Sequence, residues 1–255
     1  MSSAQVRREH VQDGYDVRLE WGREGVVLLG ECCAVVVIVD VLSFCTAVDI
    51  AVGRGAAVLP LPWNDQRATD AAGRTGAVLA GPRQAPGFSL SPTFSLSPTS
   101  LREIPAGTLL ALPSPNGATL CALAHHSGAQ VLAGCLRNTA ATARTAQRLA
   151  RGGPIGLVPA GERWAAPGEP MRPALEDSVG AGAIAAVLPG AFSPEADLAA
   201  AQFGAARSRG LRGVLAASAS GRELTSDGFA ADVTLAAAHD ASEVAPHLLD
   251  GVLMA

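Results

Sequence analysis

The sequence predicts an α/β fold of three layers, in which a mainly parallel or mixed sheet lies between helices. Short apolar runs alternate with helical segments along the chain, which is typical of strand–helix–strand units. One run, at residues 34–39, is rich in β-branched side chains and has no polar alternation, as expected of a strand buried on both faces. With 255 residues, 49% of them hydrophobic, the chain is long enough to bury a large core.

The predicted elements divide the chain into an N-terminal part and a main domain. Residues 1–33 contain an alternating, edge-like strand at 15–21 and a short helix at 25–32. Residues 34–255 form the α/β domain, either as a single compact unit or as two similar lobes that divide near residues 150–160.

Within the main domain, apolar runs between turn residues predict strands, and helical spacing with capping residues predicts helices. Phe44, Val48 and Val52 are spaced by four in the first of these helices. Asn64 and Ser193 are expected to cap later ones. The expected strands are at 34–40, 56–61, 76–81, 108–112, 131–134, 154–159 and 251–255. The expected helices are at 44–53, 64–73, 117–126, 139–151, 174–184, 194–209, 218–227 and 230–240.

Residues 82–107 break the alternation of strands and helices. They are rich in Pro, Ser and Gly, and the six residues 88–93 are repeated at 94–99. Surface loops tolerate short tandem copies, which favours a neutral insertion over a loop that recognises a ligand.

The charge of the chain limits its partners. The net charge of −4 indicates neither nucleic acid nor an anionic membrane surface as a partner. All 19 basic residues are Arg, so a Schiff-base lysine and a Walker-type phosphate lysine are both excluded. An anionic ligand must therefore be held by Arg, by backbone N–H groups or by a metal ion.

The five Cys are an odd number without a CxxC pair, and the N-terminus has no signal-sequence pattern. These features predict reduced thiols and a cytoplasmic location. No apolar run approaches the roughly 20 residues that would span a bilayer.

Polar side chains follow several predicted strands at the point where each strand ends. The carboxyl ends of parallel strands lie at one edge of a sheet, where ligands of α/β proteins bind, so these side chains can converge on a site. The candidates are Asp40, Ser114, Asn116, Arg137, Asn138 and Glu162, together with the acid pair Glu176 and Asp177 at a helix start.

Each candidate also has a purely structural explanation. Asp40 can cap the turn that follows it, Asn116 can form a turn, and Asn138 can cap a helix. Glu176 and Asp177 can simply favour the positive end of a helix dipole. Sequence motifs of P-loop enzymes, thiolate phosphatases, aspartyl-phosphate phosphatases and Rossmann dinucleotide sites are absent from the chain.

An ordered set of short segments resembles the 2-phosphosulfolactate phosphatase (ComB) family over about residues 34 to 250. No single segment is diagnostic, but their order is fairly specific. The segments are Val37-Ile38-Val39-Asp40-Val41-Leu42, Ser114-Pro115-Asn116-Gly117-Ala118, residues 134–138, Ala160-Gly161-Glu162, Leu175-Glu176-Asp177 with residues 180–184, and a C-terminal series from Ser220 to Pro246 that includes Phe229 and Asp232.

The resemblance implies a Mg²⁺-dependent phosphomonoesterase with an α/β/α fold. Its expected reaction converts (R)-2-phospho-3-sulfolactate to 3-sulfolactate and phosphate, a step related to coenzyme M biosynthesis. The expected partner is a small anionic phosphorylated substrate, and a homodimer is also compatible with the resemblance.

Roles for individual residues follow from placing the family's motifs on this chain. The expected catalytic residues are Asp40, Asn116, Asn138 and Glu162, with Glu162 as a candidate general base. The expected Mg²⁺ ligands are Asp40, Glu176 and Asp177. The expected substrate-binding residues are Ser43, Thr46, Arg83, Ser114, Gly117 and Arg137, with Arg83 as a candidate anion clamp.

The chain departs from the family beside Asp40. The family usually carries Arg after Asp-Val-Leu, where this chain has Ser43, and loss of a guanidinium weakens bidentate anion binding. Two alternatives are therefore open: a catalytically impaired member that acts as a small-anion-binding or interaction protein, and a phosphatase of altered specificity.

Overall fold

The fold is built on a mixed sheet with helices on both of its faces. The structure is a computed structural model that describes residues 9–83, 94–164 and 170–255. Over these residues nine strands form one sheet in the order β1-β7-β2-β6-β10-β11-β3-β5-β4, and ten α-helices accompany it. The predicted three-layer α/β/α fold is confirmed.

The bounds of the described elements are as follows. The strands are β1 (Val17–Leu19), β2 (Val35–Val39), β3 (Ala57–Leu61), β4 (Val78–Leu79), β5 (Leu109–Pro113), β6 (Gln130–Gly134), β7 (Ile155–Pro159), β8 (Glu162–Arg163), β9 (Met171–Arg172), β10 (His247–Leu249) and β11 (Val252–Met254). The α-helices are α1 (Gly22–Cys32), α2 (Phe44–Gly53), α3 (Gln66–Thr75), α4 (Gly117–Ala124), α5 (Thr139–Ala150), α6 (Leu175–Ala185), α7 (Pro194–Ser208), α8 (Leu211–Ala217), α9 (Ala219–Ser226) and α10 (Ala230–Ala236). Short 3₁₀ helices cover Pro98–Leu101 and Leu136–Asn138.

Strand β2 lies inside the sheet, between β7 and β6, and pairs in parallel with both. All five of its residues are fully buried, as its uninterrupted apolar sequence predicts. The carboxyl end of β2 delivers Asp40 to the same edge as the ends of β6 and β7.

An antiparallel hairpin joins two parallel parts of the sheet. Strands β10 and β11 pair with each other, and His247 of β10 lies opposite Leu132 of β6. Leu253 of β11 lies opposite Val58 of β3. The C-terminal residues therefore complete the sheet between its two parallel parts.

Several local predictions need correction. The cap of α3 is Asp65 rather than Asn64, because the Asp65 carboxylate accepts the backbone N–H of Arg67 at 2.9 Å. The cap of α7 is Ser193, as predicted. The predictions missed α8, β10 and the two-stranded β8–β9 pair, which are too short to show a clear period.

The loop predicted at 82–107 contains local structure in its described part. Gly81 forms a bridge to Ser95, and the 3₁₀ helix follows at once. The second copy of the repeated hexapeptide, residues 94–99, belongs to this ordered part. The first copy, residues 88–93, lies outside the described residues.

Helices α6 and α7 pack at close range through a glycine. A Cβ atom at Gly182 would lie 1.9 Å from the carbonyl oxygen of Ala199, so only a residue without a side chain fits there. The run of small residues in α6 thus allows a neighbouring backbone to approach.

We expect Gly182→Ala to destabilise the fold by about 1–3 kcal/mol, because the added methyl group forces α6 and α7 apart. Gly204→Ala in α7 is the matched control, since a Cβ there meets nothing within 4 Å. Helix propensity predicts that this control leaves stability unchanged or raises it by roughly 0.5–1 kcal/mol. Urea unfolding of the three chains measures both effects, and a Gly182→Ala chain as stable as the parent would contradict the close packing.

Candidate active site

Asp40 is the centre of the candidate site. Its carboxylate is almost fully buried, and both of its oxygens accept backbone N–H groups. The N–H of Phe44 donates to Oδ1 at 3.0 Å, and the N–H of Gly117 donates to Oδ2 at 2.9 Å. Asp40 therefore connects the first turn of α2 to the first turn of α4.

Burial raises the pKa of Asp40 to about 6, because desolvation disfavours its charged form. The nearby charge of Glu162 raises this pKa further. The N–H bonds from Phe44 and Gly117 and the positive charge of Arg83 act in the opposite direction. At neutral pH Asp40 is mainly ionised, in a site of low polarity.

Gly117 is required by this geometry. A Cβ atom there would lie 2.4 Å from the ring of Phe44 and 2.8 Å from Oδ2 of Asp40. Only glycine lets the α4 backbone come close enough to donate its N–H to the carboxylate. We expected this N–H to face a ligand; the structure instead shows it bound to Asp40.

Asn116 and Glu162 form a second polar pair beside Asp40. The Asn116 amide donates from Nδ2 to Oε1 of Glu162 at 2.9 Å. The same oxygen accepts the backbone N–H of Arg163 at 2.9 Å, so the Glu162 side chain is held in one orientation. A cavity of about 270 Å³ borders the pair, which leaves Glu162 in contact with open space.

Asp177 links the ends of two strands through hydrogen bonds. It is buried, and it accepts the N–H of Val41 at 2.7 Å and that of Gly161 at 2.9 Å. Burial raises the pKa of Asp177 well above its usual value, and the charges of Asp40 and Glu176 raise it further. Its bonds join the segment after β2 to the segment after β7.

Glu176, at the start of α6, is also buried. Its Oε2 atom has no hydrogen-bond partner among the residues that the structure describes.

Arg83 brings a positive charge to the site. Its Nη2 group donates to the hydroxyl of Ser43 and to the carbonyl of Leu96, the latter at 3.3 Å. Burial lowers the pKa of Arg83, while the charges of Asp232 and Asp40 act in the opposite direction. Its Nε atom is buried without a hydrogen-bond partner in the described part of the chain.

Four other predicted residues have partners of their own. Arg137 forms a 2.8 Å ion pair with Asp49 of α2. The Asn138 amide accepts the Cys135 N–H and donates to the Ala133 carbonyl, so it holds its own turn.

Thr46 and Ser114 are likewise buried among the segments that carry them. The Thr46 hydroxyl donates to the Val41 carbonyl at 2.8 Å. The backbone N–H of Ser114 donates to the Leu61 carbonyl at 3.0 Å. Contacts within the protein therefore account for Arg137, Asn138 and Thr46, and the structure brings Asp40, Ser43, Arg83, Asn116 and Glu162 together.

Two residues near Arg83 had no role in the sequence predictions. The Arg83 guanidinium lies 5.7 Å from the ring centre of Phe229, and Asp232 provides a negative charge nearby. Both lie in the C-terminal segments of the resemblance, but nothing in the sequence links those segments to Arg83.

The expected Mg²⁺ ligands Asp40, Glu176 and Asp177 lie near one another, since the charges of Asp40 and Glu176 both act on Asp177. Among the described residues there is no group of three or more His, Cys, Asp or Glu side chains arranged to hold a metal ion. Asp40 fits the smaller requirement of Mg²⁺, which proteins often hold through one or two carboxylates with water and substrate phosphate.

Comparisons with known proteins identify a family. The model of the 2-phosphosulpholactate phosphatase family matches residues 24–251, nearly the whole chain. No curated protein matches the chain. Across the part of the chain that the structure describes, none of the helices combines the length and the hydropathy that crossing a bilayer requires. The resemblance seen in the sequence is confirmed: the chain belongs to the 2-phosphosulpholactate phosphatase family and is a phosphoric monoester hydrolase of that type.

Proposed function

We propose that the protein is a Mg²⁺-dependent phosphatase that converts (R)-2-phospho-3-sulfolactate to 3-sulfolactate and phosphate. Family membership supports the phosphatase chemistry and a small phosphorylated substrate. The observation that carries the proposal is the buried Asp40 carboxylate with the half-buried Arg83 guanidinium near enough to attract it, beside the Asn116–Glu162 pair.

Arg83 is the group that binds the phosphate. The chain has no Lys, and charge-assisted bonds from a guanidinium to phosphate oxygens are among the strongest available. The Ser43 hydroxyl lies against Arg83 and adds a neutral donor. Low polarity around Arg83 strengthens its attraction for an anion.

Glu162 acts as the general base. Its carboxylate is oriented by Asn116 and borders the cavity, so a water molecule can reach it. Water loses a proton to Glu162 as its oxygen bonds to phosphorus, and the ester P–O bond breaks. The alkoxide of the 2-hydroxy acid takes up a proton from water, Glu162 returns its own proton to the solvent, and inorganic phosphate is the second product.

Asp40 is the residue that would hold Mg²⁺. Each Asp40 oxygen accepts one N–H and keeps a second acceptor site for a cation. When bound, Mg²⁺ supplies positive charge that neutralises the phosphate. The repulsion between Asp40 and Glu162 would also fall, which favours cation binding at Asp40.

The alternative of an impaired family member depends on Ser43 replacing an arginine. In the structure a guanidinium lies beside Ser43 all the same, because Arg83 reaches it from another segment. This contact favours an active phosphatase over a catalytically impaired anion-binding protein. A cytoplasmic location and a homodimer stay predictions from the sequence.

The first prediction concerns phosphate release from 2-phospho-hydroxy acids, including 2-phospholactate and 2-phospho-3-sulfolactate. Asp40→Asn is expected to lower kcat/KM at least about 100-fold, because the site loses its central charge. Asp70→Asn is the control, since Asp70 is exposed on α3 and bonds only to Gln66 among the contacts seen. An Asp40→Asn chain as active as the parent, or no turnover on any ester, would rule out the proposal, and tight phosphate binding without turnover would favour the anion-binding alternative.

The second prediction concerns the metal. Removing divalent cations with a chelator is expected to abolish phosphate release, and added Mg²⁺ is expected to restore it. Calorimetry with Mg²⁺ alone should show binding to the parent and much weaker binding to Asp40→Asn. Full activity in excess chelator would contradict the assignment of Mg²⁺ while leaving the phosphatase proposal in place.

The third prediction concerns pH. Since Asp40 has a pKa raised to about 6, kcat/KM is expected to fall as the pH is lowered through about 6 and the carboxylate is protonated. Glu162→Gln removes a charge that raises this pKa, so the residual activity of the variant should fall at a lower pH than that of the parent. Titration of the substrate phosphate is common to both chains, so identical midpoints in the two kcat/KM profiles would argue against this role of Asp40.

A further inference from the structure

The surroundings of Arg83 come largely from the C-terminal part of the chain. The Phe229 ring lies 5.7 Å from the guanidinium carbon, just before α10. Asp232, in the first turn of α10, exerts a larger attraction on Arg83 than Asp40 does. Asp232, which is far from Asp40 in the sequence, thus attracts the Arg83 guanidinium that lies near Asp40.

Asp232 also holds residues 97–99 of the loop that contacts Arg83. Its carboxylate is buried, and Oδ1 accepts three hydrogen bonds. The donors are the Ser97 hydroxyl at 2.8 Å, the Thr99 N–H at 3.0 Å and the Thr99 hydroxyl at 2.6 Å. Three donors on one carboxylate oxygen hold the backbone of residues 97–99 in place.

Arg83 is bonded to the same stretch of loop. Its Nη2 group donates to the carbonyl of Leu96, directly before the first residue that Asp232 holds. Asp232 therefore controls both a hydrogen-bond acceptor and an attractive charge for Arg83. Its other oxygen, Oδ2, is buried and has no hydrogen-bond partner among the described residues.

We propose that Asp232 is a positioning residue for phosphate binding: it holds the loop at 96–99 and attracts the Arg83 guanidinium, so that Arg83 points to Ser43 and Asp40. The inference rests on the proposed function, because it assigns to Asp232 the task of orienting the phosphate-binding arginine. Asp232 itself does not touch the substrate.

A purely structural role for Asp232 would produce a different pattern in a double-mutant cycle. Asp232→Asn removes the charge but keeps an amide oxygen that accepts from Ser97 and Thr99. If Asp232 acts through Arg83, its substitution matters only while Arg83 is present. If it only stabilises the fold, its substitution has the same effect with Arg83 or with Arg83→Gln.

The experiment compares the parent, Asp232→Asn, Arg83→Gln and the double variant. Asp232→Asn is expected to raise KM for the phosphate ester, and Kd for inorganic phosphate by calorimetry, about tenfold, with kcat changed less than about threefold. In the Arg83→Gln background the same substitution should change both constants less than about twofold. Equal increases in the two backgrounds, or no increase in the parent, would overturn the proposal.

Two further variants serve as a control and as a replacement in this experiment. Asp227→Asn is the matched control, because Asp227 is an exposed carboxylate of the same segment and attracts Arg83 less than Asp232 does. It should leave KM and Kd within about twofold of the parent. If Asp232→Asn does not fold, Thr99→Val replaces it, and its effect must also depend on Arg83.

Measurements on the parent chain distinguish a failure of this proposal from a failure of the proposed function. A parent that hydrolyses the ester and binds phosphate, together with an additive cycle, overturns the role of Asp232 alone. A parent that neither releases nor binds phosphate overturns the proposed function and this inference with it.

Discussion

Hydrogen bonds from backbone N–H groups to two buried carboxylates hold the carboxyl edge of the sheet together. Asp40 joins the first turns of α2 and α4, and Asp177 joins the segments that follow β2 and β7. Burying a carboxyl group without partners is strongly unfavourable, and these N–H donors offset part of the cost of burying the two acids here. The acids in turn satisfy backbone donors where the strands end and ladder bonding stops. The same contacts therefore shape both the fold and the site.

The arrangement leaves negative charge concentrated in a region of low polarity. Asp40 and Glu162 repel each other, which contributes to the raised pKa of Asp40, and Arg83 opposes that effect. Protonation or a bound cation would relieve the repulsion, so cation affinity and the pKa of Asp40 are linked. A site of this kind favours a ligand set that brings positive and negative charge together, as a divalent cation with a phosphate ester does. The electrostatics thus agree with the phosphatase chemistry of the family.

Local patterns in the sequence are sufficient for the order of the long elements and for the strand-end positions of Asp40, Asn116 and Glu162. Apolar periodicity and turn residues act over a few neighbours, and parallel pairing then aligns the strand ends at one edge. The partners of Arg137 and Asn138 could not be predicted in this way. Arg137 pairs with Asp49, 88 residues away in the chain, and Asn138 turns back on its own segment. Whether a polar side chain faces a ligand or the protein depends on contacts that only the folded chain defines.

Ser43 stands where the family usually carries an arginine, and the guanidinium that lies beside it in this chain is that of Arg83. A guanidinium at position 43 would belong to the same turn as Asp40 and would be placed by that turn. Arg83 instead comes from the start of a long loop, and its orientation depends on a carbonyl of that loop and on the ring of Phe229. The loop is in turn held by Asp232. The position of the Arg83 guanidinium near Asp40 therefore depends on contacts among three segments that are distant in the sequence. Because a long loop and a C-terminal helix can vary without disturbing the strand ends, this arrangement allows the bound anion to change while the acid centre stays fixed.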